Sequence, residues 1–416
     1  MDSVIHSGIS LLAARLVGGP PENRQRAENL ANAAVAVVAG NLADADVLDK
    51  LFLPEASGGL GYMLHHRGYS HTIIGSGLIG FAVAVATWAF CRRFLPPRAL
   101  VLLLGIGVCC SELHLLFDGF VDYGVHPFFP WNQWVYGDFL FLGEPLLWAL
   151  SVPIFASAGA ALARPGDDEF RRKLLLYLAG AACAWYLFNA FSGHWISAGA
   201  AAFAIAMTLA ALGLQFGSFS PRGTVIAICV VCLIFLGGSL QAKSIARHEV
   251  ARSGTGERVR HVVSTPAPAN PLCWRIITSG YDESGTQVRV RVATVSLAPS
   301  IVDARTCLVT NRVPPPTAKN VMSWTKATSP RWNWIGLFAK PADDFSKLAE
   351  GNCMVKKTRS FLRAPFWIDS GCGSVVGDLR FDYSTDPEKW AKYTFEKGDE
   401  PKCDAVHSPW IAPFFD

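Results

Sequence analysis

Histidines and aspartates gather in three short polar blocks in the first third of the chain. Residues 41–46 carry Asp44 and Asp46, residues 65–71 carry His66, Arg67 and His71, and residues 114–118 begin with His114 and end with Asp118. Imidazole and carboxylate without thiolate suit zinc, manganese or iron. His114 and Asp118 are four apart, a spacing that puts both side chains on one helix face. Gly68, between His66 and His71, permits a sharp turn that would let both rings converge. Each block also has a plainer reading. An isolated HxxxD is more often a hydrogen-bonded pair, and Asp44 and Asp46 suit a turn or a helix cap. The plainer readings must all hold at once beside apolar segments, where ionisable groups are costly to keep. His6, near the start, and Asp122 and His126, after Asp118, add to the set, so that six of the ten histidines lie within residues 1–126.

The elements that must position these blocks are apolar. The chain of 416 residues is 51% hydrophobic and only 17% charged, below the roughly 25% charge of soluble domains. The deficit is local: residues 73–90, 145–163, 174–191, 195–216 and 223–240 contain no Asp, Glu, Lys or Arg. Each approaches the length of a bilayer-spanning helix. Residues 99–117 form a sixth candidate, interrupted by Glu112 and His114. The expected architecture is a multi-pass α-helical membrane domain over 1–240, a connecting helix over 241–257, and a mainly β (α+β) polar domain over 258–416. In that last part Val288-Arg289-Val290-Arg291-Val292 alternates as a half-buried strand does, and 274–277 and 374–376 are further strand candidates. Trp332, Trp334, Trp367 and Trp390 read as core residues of that domain.

Arginine sets the expected orientation. Arg92, Arg93 and Arg98, then Arg164, Arg171, Arg172 and Lys173, then Arg222 occupy alternate loops, while residues 118–144 contain no Lys or Arg. By the positive-inside rule the arginine loops are cytoplasmic. Six spans then put the polar blocks and the C-terminal domain on the periplasmic side of a bacterial inner membrane. Among the eleven cysteines, Cys273, Cys307, Cys353, Cys372 and Cys403 lie in the polar part. They lack a CxxC pair, and in an oxidising compartment they allow two disulfides and one leftover thiol. The net charge of +4 is spread through loops, so no nucleic-acid partner is expected.

The order of blocks resembles the YdjM-like, LexA-regulated family of membrane-bound metal-dependent hydrolases. That family has an early His, a Gly-x-Leu-Pro-Asp-x-Asp block, a His-Arg-Gly-x-Thr-His block and a His-x-x-x-Asp block followed by Gly and Pro. The counterparts here are His6; residues 40–46; residues 66–71; and His114 and Asp118 with Gly124 and Pro127. Ala43 stands where Pro is usual and Ser70 where Thr is usual. The resemblance covers about residues 1–150. It implies a distant kinship with zinc-dependent phospholipase C, and hence phosphoester hydrolysis.

On that resemblance one or more divalent ions, zinc first, would be held by Asp46, His71, His114 and Asp118, with His6, Asp44 and His66 as further ligands. Arg67 would clamp a phosphoryl oxygen. Asp122, Asp138 or Glu144 would serve as base or orient the ligand histidines. The expected partners are the lipid bilayer and an amphipathic or lipid substrate. The alternative is a non-enzymatic metal-binding membrane protein or metal-ion transporter, since ionisable residues in spans also mark ion paths. A lipid phosphatase of the acid-phosphatase kind fits less well, because Ser192-Gly193-His194 follows the HxxxD in reversed order and its Lys and Arg-Pro block is missing.

Overall fold

The computed structural model describes residues 1–20, 23–48, 66–128, 131, 134–162, 177–178, 180–189, 196–215, 220–253, 256–307, 321–322, 329–352, 355–356, 359, 361–370, 373–381 and 394–396. They fall into two compact units, one drawn from Met1–Ala45, Tyr69–Phe129 and Gln133–Phe235, the other from Asp46–Gly68, Pro130–Asn132 and Leu236–Asp416.

The first unit is helical. Helix α1 spans Ser3–Gly18 and α2 Arg26–Ala39, each with its own start signal. Asp2 caps α1 by accepting from the amides of Val4 and Ile5, both at 3.0 Å. Gln25 and Glu28 form a capping box on α2, which satisfies amides that have no partner within the helix. A 3-10 segment follows at Leu42–Leu48. A short 3-10 turn, Tyr69–His71, leads into α3, Ile73–Cys91, with Thr72 as cap. Helices α4, Ala99–Asp118, α5, Pro145–Leu162, α6, Ala198–Gln215, and α7, Pro221–Arg252, which passes into the second unit at Leu236, complete the series, and residues 177–189 are helical wherever they are described.

Among the described residues three helices are long and apolar enough to cross a membrane: α3, α4 and α7. A fourth is counted if α2 and Leu42–Leu48, bent by 45°, act as one. The segments read as further spans at 145–163 and 195–216 are apolar helices whose described stretches are shorter. The expected connection after residue 240 is helical through Arg252, because α7 continues without a break.

Helices α3 and α4 pack antiparallel at very close range. A Cβ placed on Gly80 would lie 2.3 Å from the Gly107 carbonyl oxygen, and the reverse holds for Gly107. Ser76 Oγ donates to the Ser111 carbonyl at 2.7 Å. Small residues and interhelical hydrogen bonds of this kind hold membrane helices together where the hydrophobic effect cannot. Val35, Ala36 and Ala39 of α2 enter the same core as Leu103, Ile106 and Cys110 of α4.

The second unit carries an antiparallel sheet domain. Strands β1 (Arg258–Ala267), β2 (Asn270–Tyr281), β3 (Gln287–Ser296), β4 (Val321–Met322) and β5 (Trp332–Pro341) form one sheet in the order β1-β2-β3-β5-β4. Helix α8, Ala342–Gly351, follows β5. Strands β6 (Pro365–Ser370), β7 (Gly373–Asp378) and β8 (Thr394–Glu396) form a second sheet. All three proposed strands are present. Trp332, Trp334 and Trp367 are buried as expected, and Trp390 lies outside the described residues. The alternation of β3 is interrupted. A bulge falls between Val292 and Ala293, and Arg291 is buried, pairing with Glu257 and lying 5.3 Å from the Trp334 ring. A buried guanidinium needs such a partner, and stacking on an indole adds to it. One disulfide joins Cys273 to Cys307. Cys353, Cys372 and Cys403 lie outside the described residues.

Candidate metal centre

The end of α4, the turn before α3 and the 3-10 segment Leu42–Leu48 bring four side chains together. Asp44, His71, His114 and Asp118 each direct one donor atom into a common space, all within 4.8 Å of one another. His71 Nε2 lies 3.4 Å from Asp44 Oδ1 and 3.3 Å from Asp118 Oδ2. His114 Nε2 lies 3.6 Å from Asp44 Oδ1, 3.7 Å from Asp118 Oδ2 and 3.2 Å from His71 Nε2. Zinc bonds of about 2.1 Å in a tetrahedron separate their donors by about 3.4 Å. The five distances bracket that value. His71, His114 and Asp118 are buried, and Asp44 is partly so.

The outer hydrogen bonds decide which nitrogens face inward. His114 Nδ1 lies 2.9 Å from the Gly40 carbonyl oxygen. A carbonyl only accepts, so Nδ1 carries the proton and the neutral ring turns its Nε2 lone pair to the cluster. His71 Nδ1 is 2.9 Å from Ser70 Oγ, which leaves Nε2 facing His114. Two ring nitrogens 3.2 Å apart require a shared proton or a cation between them. With neutral imidazoles the four side chains carry two negative charges; the α-amino group of Met1 meets one of them at Asp118 Oδ1, and a cation among the donors balances the rest. The donor set therefore fits a metal ion.

His6, from the first turn of α1, stacks on His114 at 3.9 Å between ring centroids. Its Nε2 lies 3.2 Å from Asp118 Oδ1, the oxygen that also meets the α-amino group of Met1. Asp118 thus turns one oxygen to the cluster and the other to His6.

The remaining sequence-derived candidates take other positions. Asp46, ranked among the leading ligands by its motif, is engaged in the second unit. Its Oδ1 is 2.8 Å from His66 Nδ1, and its Oδ2 accepts from the Arg67 amide at 2.8 Å. The sharp turn expected at Gly68 falls on Arg67 instead, at φ 62°, a conformation that costs energy for a residue with a Cβ. Arg67 is buried. Asp122 and Asp138 lie in the loop after Asp118, and Asp138 is buried at φ 55°. Glu144 works as a helix cap, its Oε1 accepting from the Leu146 amide at 3.2 Å at the start of α5. His126 is buried in the same loop, which lowers its pKa and favours the neutral ring.

Two supporting groups were named by the sequence without their roles. Gly40 opens the aspartate block, and a Cβ there would meet Ser10 Oγ at 2.0 Å, so glycine lets its carbonyl reach His114. Ser70 fills the slot where threonine was expected. Either residue supplies the hydroxyl, which is why that departure removes nothing.

Membrane-length helices with a buried His/Asp cluster at their ends define a membrane protein with a candidate metal centre. Residues 1–198 match the family model described as YdjM inner membrane protein, so the recognition made from the motif blocks stands for that part of the chain. No curated protein and no solved structure matches the chain.

Proposed function

We propose that the N-terminal part is a multi-pass, membrane-bound, metal-dependent hydrolase that cleaves a phosphoester of an amphipathic substrate. The observation that supports this most is the convergence of Asp44, His71, His114 and Asp118 at donor spacings suited to one divalent ion, zinc first. Bound there, such an ion would lower the pKa of a water toward neutrality and polarise a phosphoryl oxygen. The chain's own contribution is orientation. Gly40 and Ser70 fix the two rings, and burial of His71, His114 and Asp118 excludes competing water. His6, on the other oxygen of Asp118, is a further ligand or a positioning group for that carboxylate. Asp122 and Asp138, in the loop that leaves Asp118, are the candidates for proton transfer. The arginine distribution supports a periplasmic site.

The test is metal content and turnover. Purified protein is expected to hold a divalent metal that a His114→Ala, Asp118→Ala double variant lacks, measured by elemental analysis. Equal and negligible metal in both would overturn the centre. Metal-loaded protein that turns over no phosphodiester or phosphomonoester lipid in detergent would overturn the hydrolase reading while leaving the centre in place.

A further inference from the structure

Helices α3 and α4 are antiparallel, so the first residue of one and the last residue of the other lie at the same end. His71 sits two residues before α3, and Asp118 closes α4. The loop that leaves Asp118 is pinned to this end. The Gly137 amide donates to the Gly119 carbonyl at 2.7 Å, and Val125 and Val135 exchange backbone hydrogen bonds at 3.0 and 2.9 Å. The Ile73 amide donates to the Pro127 carbonyl at 3.0 Å. Phe128 is therefore held beside the start of α3.

Around these buried ligands the surface is apolar and open. Ile74 is 67% exposed, Leu116 50% and Phe128 43%, and Tyr69 stands exposed beside His71. Residues 118–144 contain no Lys or Arg. The exposed face continues along α3 through Leu78 and Phe81, at the spacing of one helical stripe. An apolar surface continuous with a span, ending in aromatic residues, matches the interfacial belt of membrane proteins.

We propose that Ile74, Leu116 and Phe128, with Tyr69 beside them, form a bilayer-contact rim through which a phospholipid reaches the metal centre laterally, its acyl chains remaining in the hydrocarbon. The substrate half of this inference rests on the hydrolase reading; the rim itself does not. The test uses the full chain in vesicles of phosphatidylethanolamine and phosphatidylglycerol. The photoreactive residue p-benzoylphenylalanine is placed singly at Ile74, Leu116 and Phe128. Phe90, 89% exposed on α3, serves as the lipid-facing control, and Ile301, exposed in the sheet domain, as the water-facing one. Phospholipid adducts are expected at all three rim positions and at Phe90, but not at Ile301. Adducts at Phe90 without any at the rim would overturn the proposal. For the substrate half, Leu116→Asp is expected to lower the ratio of long-chain to soluble short-chain phosphoester turnover at least tenfold with bound metal retained. An unchanged ratio would overturn lateral entry. Rim adducts in a protein that hydrolyses neither ester would sustain the rim and sink the hydrolase reading instead.

Discussion

Ser70 is a small residue with a large geometric consequence. Its hydroxyl lies 2.9 Å from His71 Nδ1 and so holds the ring with Nε2 directed at Asp44, His114 and Asp118. Groups of this kind around a metal site are worth about 10–100-fold in affinity. Ser70→Thr keeps a hydroxyl in place and is expected to bind metal as the wild type does. Ser70→Ala is expected to weaken binding by about that factor, read by competition with a chromophoric chelator. Equal affinities in all three proteins would mean that the serine does not orient the ring. The residue types of the centre were legible in the sequence, but their division was not. Asp44 and Asp46 are two apart in a 3-10 segment, Leu42–Leu48. One turns to His71 and His114, the other to His66. Spacing names both carboxylates and cannot say which turns inward, because a change of one residue along such a turn rotates a side chain by about 120°.

At the scale of elements the centre depends on how closely α3 and α4 approach. One helix follows His71 and the other carries His114 and Asp118, so any change in their separation moves ligands against one another. Gly80 and Gly107 set that separation, since a Cβ on either would press within 2.3 Å of the other's backbone oxygen. Backbone cannot yield as a flexible side chain does. Gly107→Leu is therefore expected to destabilise the helix pair by about 1–3 kcal/mol and to lower metal stoichiometry as well. Val101→Leu, on the exposed face of α4, is expected to change neither. Thermal unfolding in detergent and elemental analysis check both. A Gly107→Leu protein with full metal content would show that the glycine contact does not hold the centre. The helices themselves were legible, because apolar runs of near membrane length have few other uses, even where Glu112 and His114 interrupt the second of them. The contact between them was not. Gly80 and Gly107 stand in the same apolar runs as Gly75, Gly77 and Gly105, and composition does not mark which glycine meets a neighbour.

At the scale of the whole molecule the sheet domain carries information about which side of the membrane it occupies. Strands β2, β3 and β7 were legible in the sequence, β3 from its alternation, yet the burial of Arg291 was not, because it comes from Glu257 and Trp334 covering the face that Arg291 shares with Arg289. The cysteine pairing was not legible either, since five widely spaced cysteines permit many pairs and only the fold brings β2 beside the turn at Ala304–Thr306. There Cys273 and Cys307 close a disulfide across 34 residues, both side chains buried. Closing a loop of that length stabilises a fold by about 4 kcal/mol on chain-entropy grounds. That gain is available only where the compartment oxidises thiols. The arginine loops point independently to the same side, and one experiment tests both. In a variant that keeps Cys273 and Cys307 as its only cysteines, cells are quenched with acid, denatured, and treated with a polymer-linked maleimide. No mass shift is expected before reduction and a double shift after it, with a domain that melts at lower temperature once reduced. A double shift without reduction would place the sheet domain in the reducing cytosol. It would then require either an odd number of spans, which leaves the candidate metal centre on its side of the membrane, or an inverted orientation for every arginine loop, which moves that centre to the other side as well.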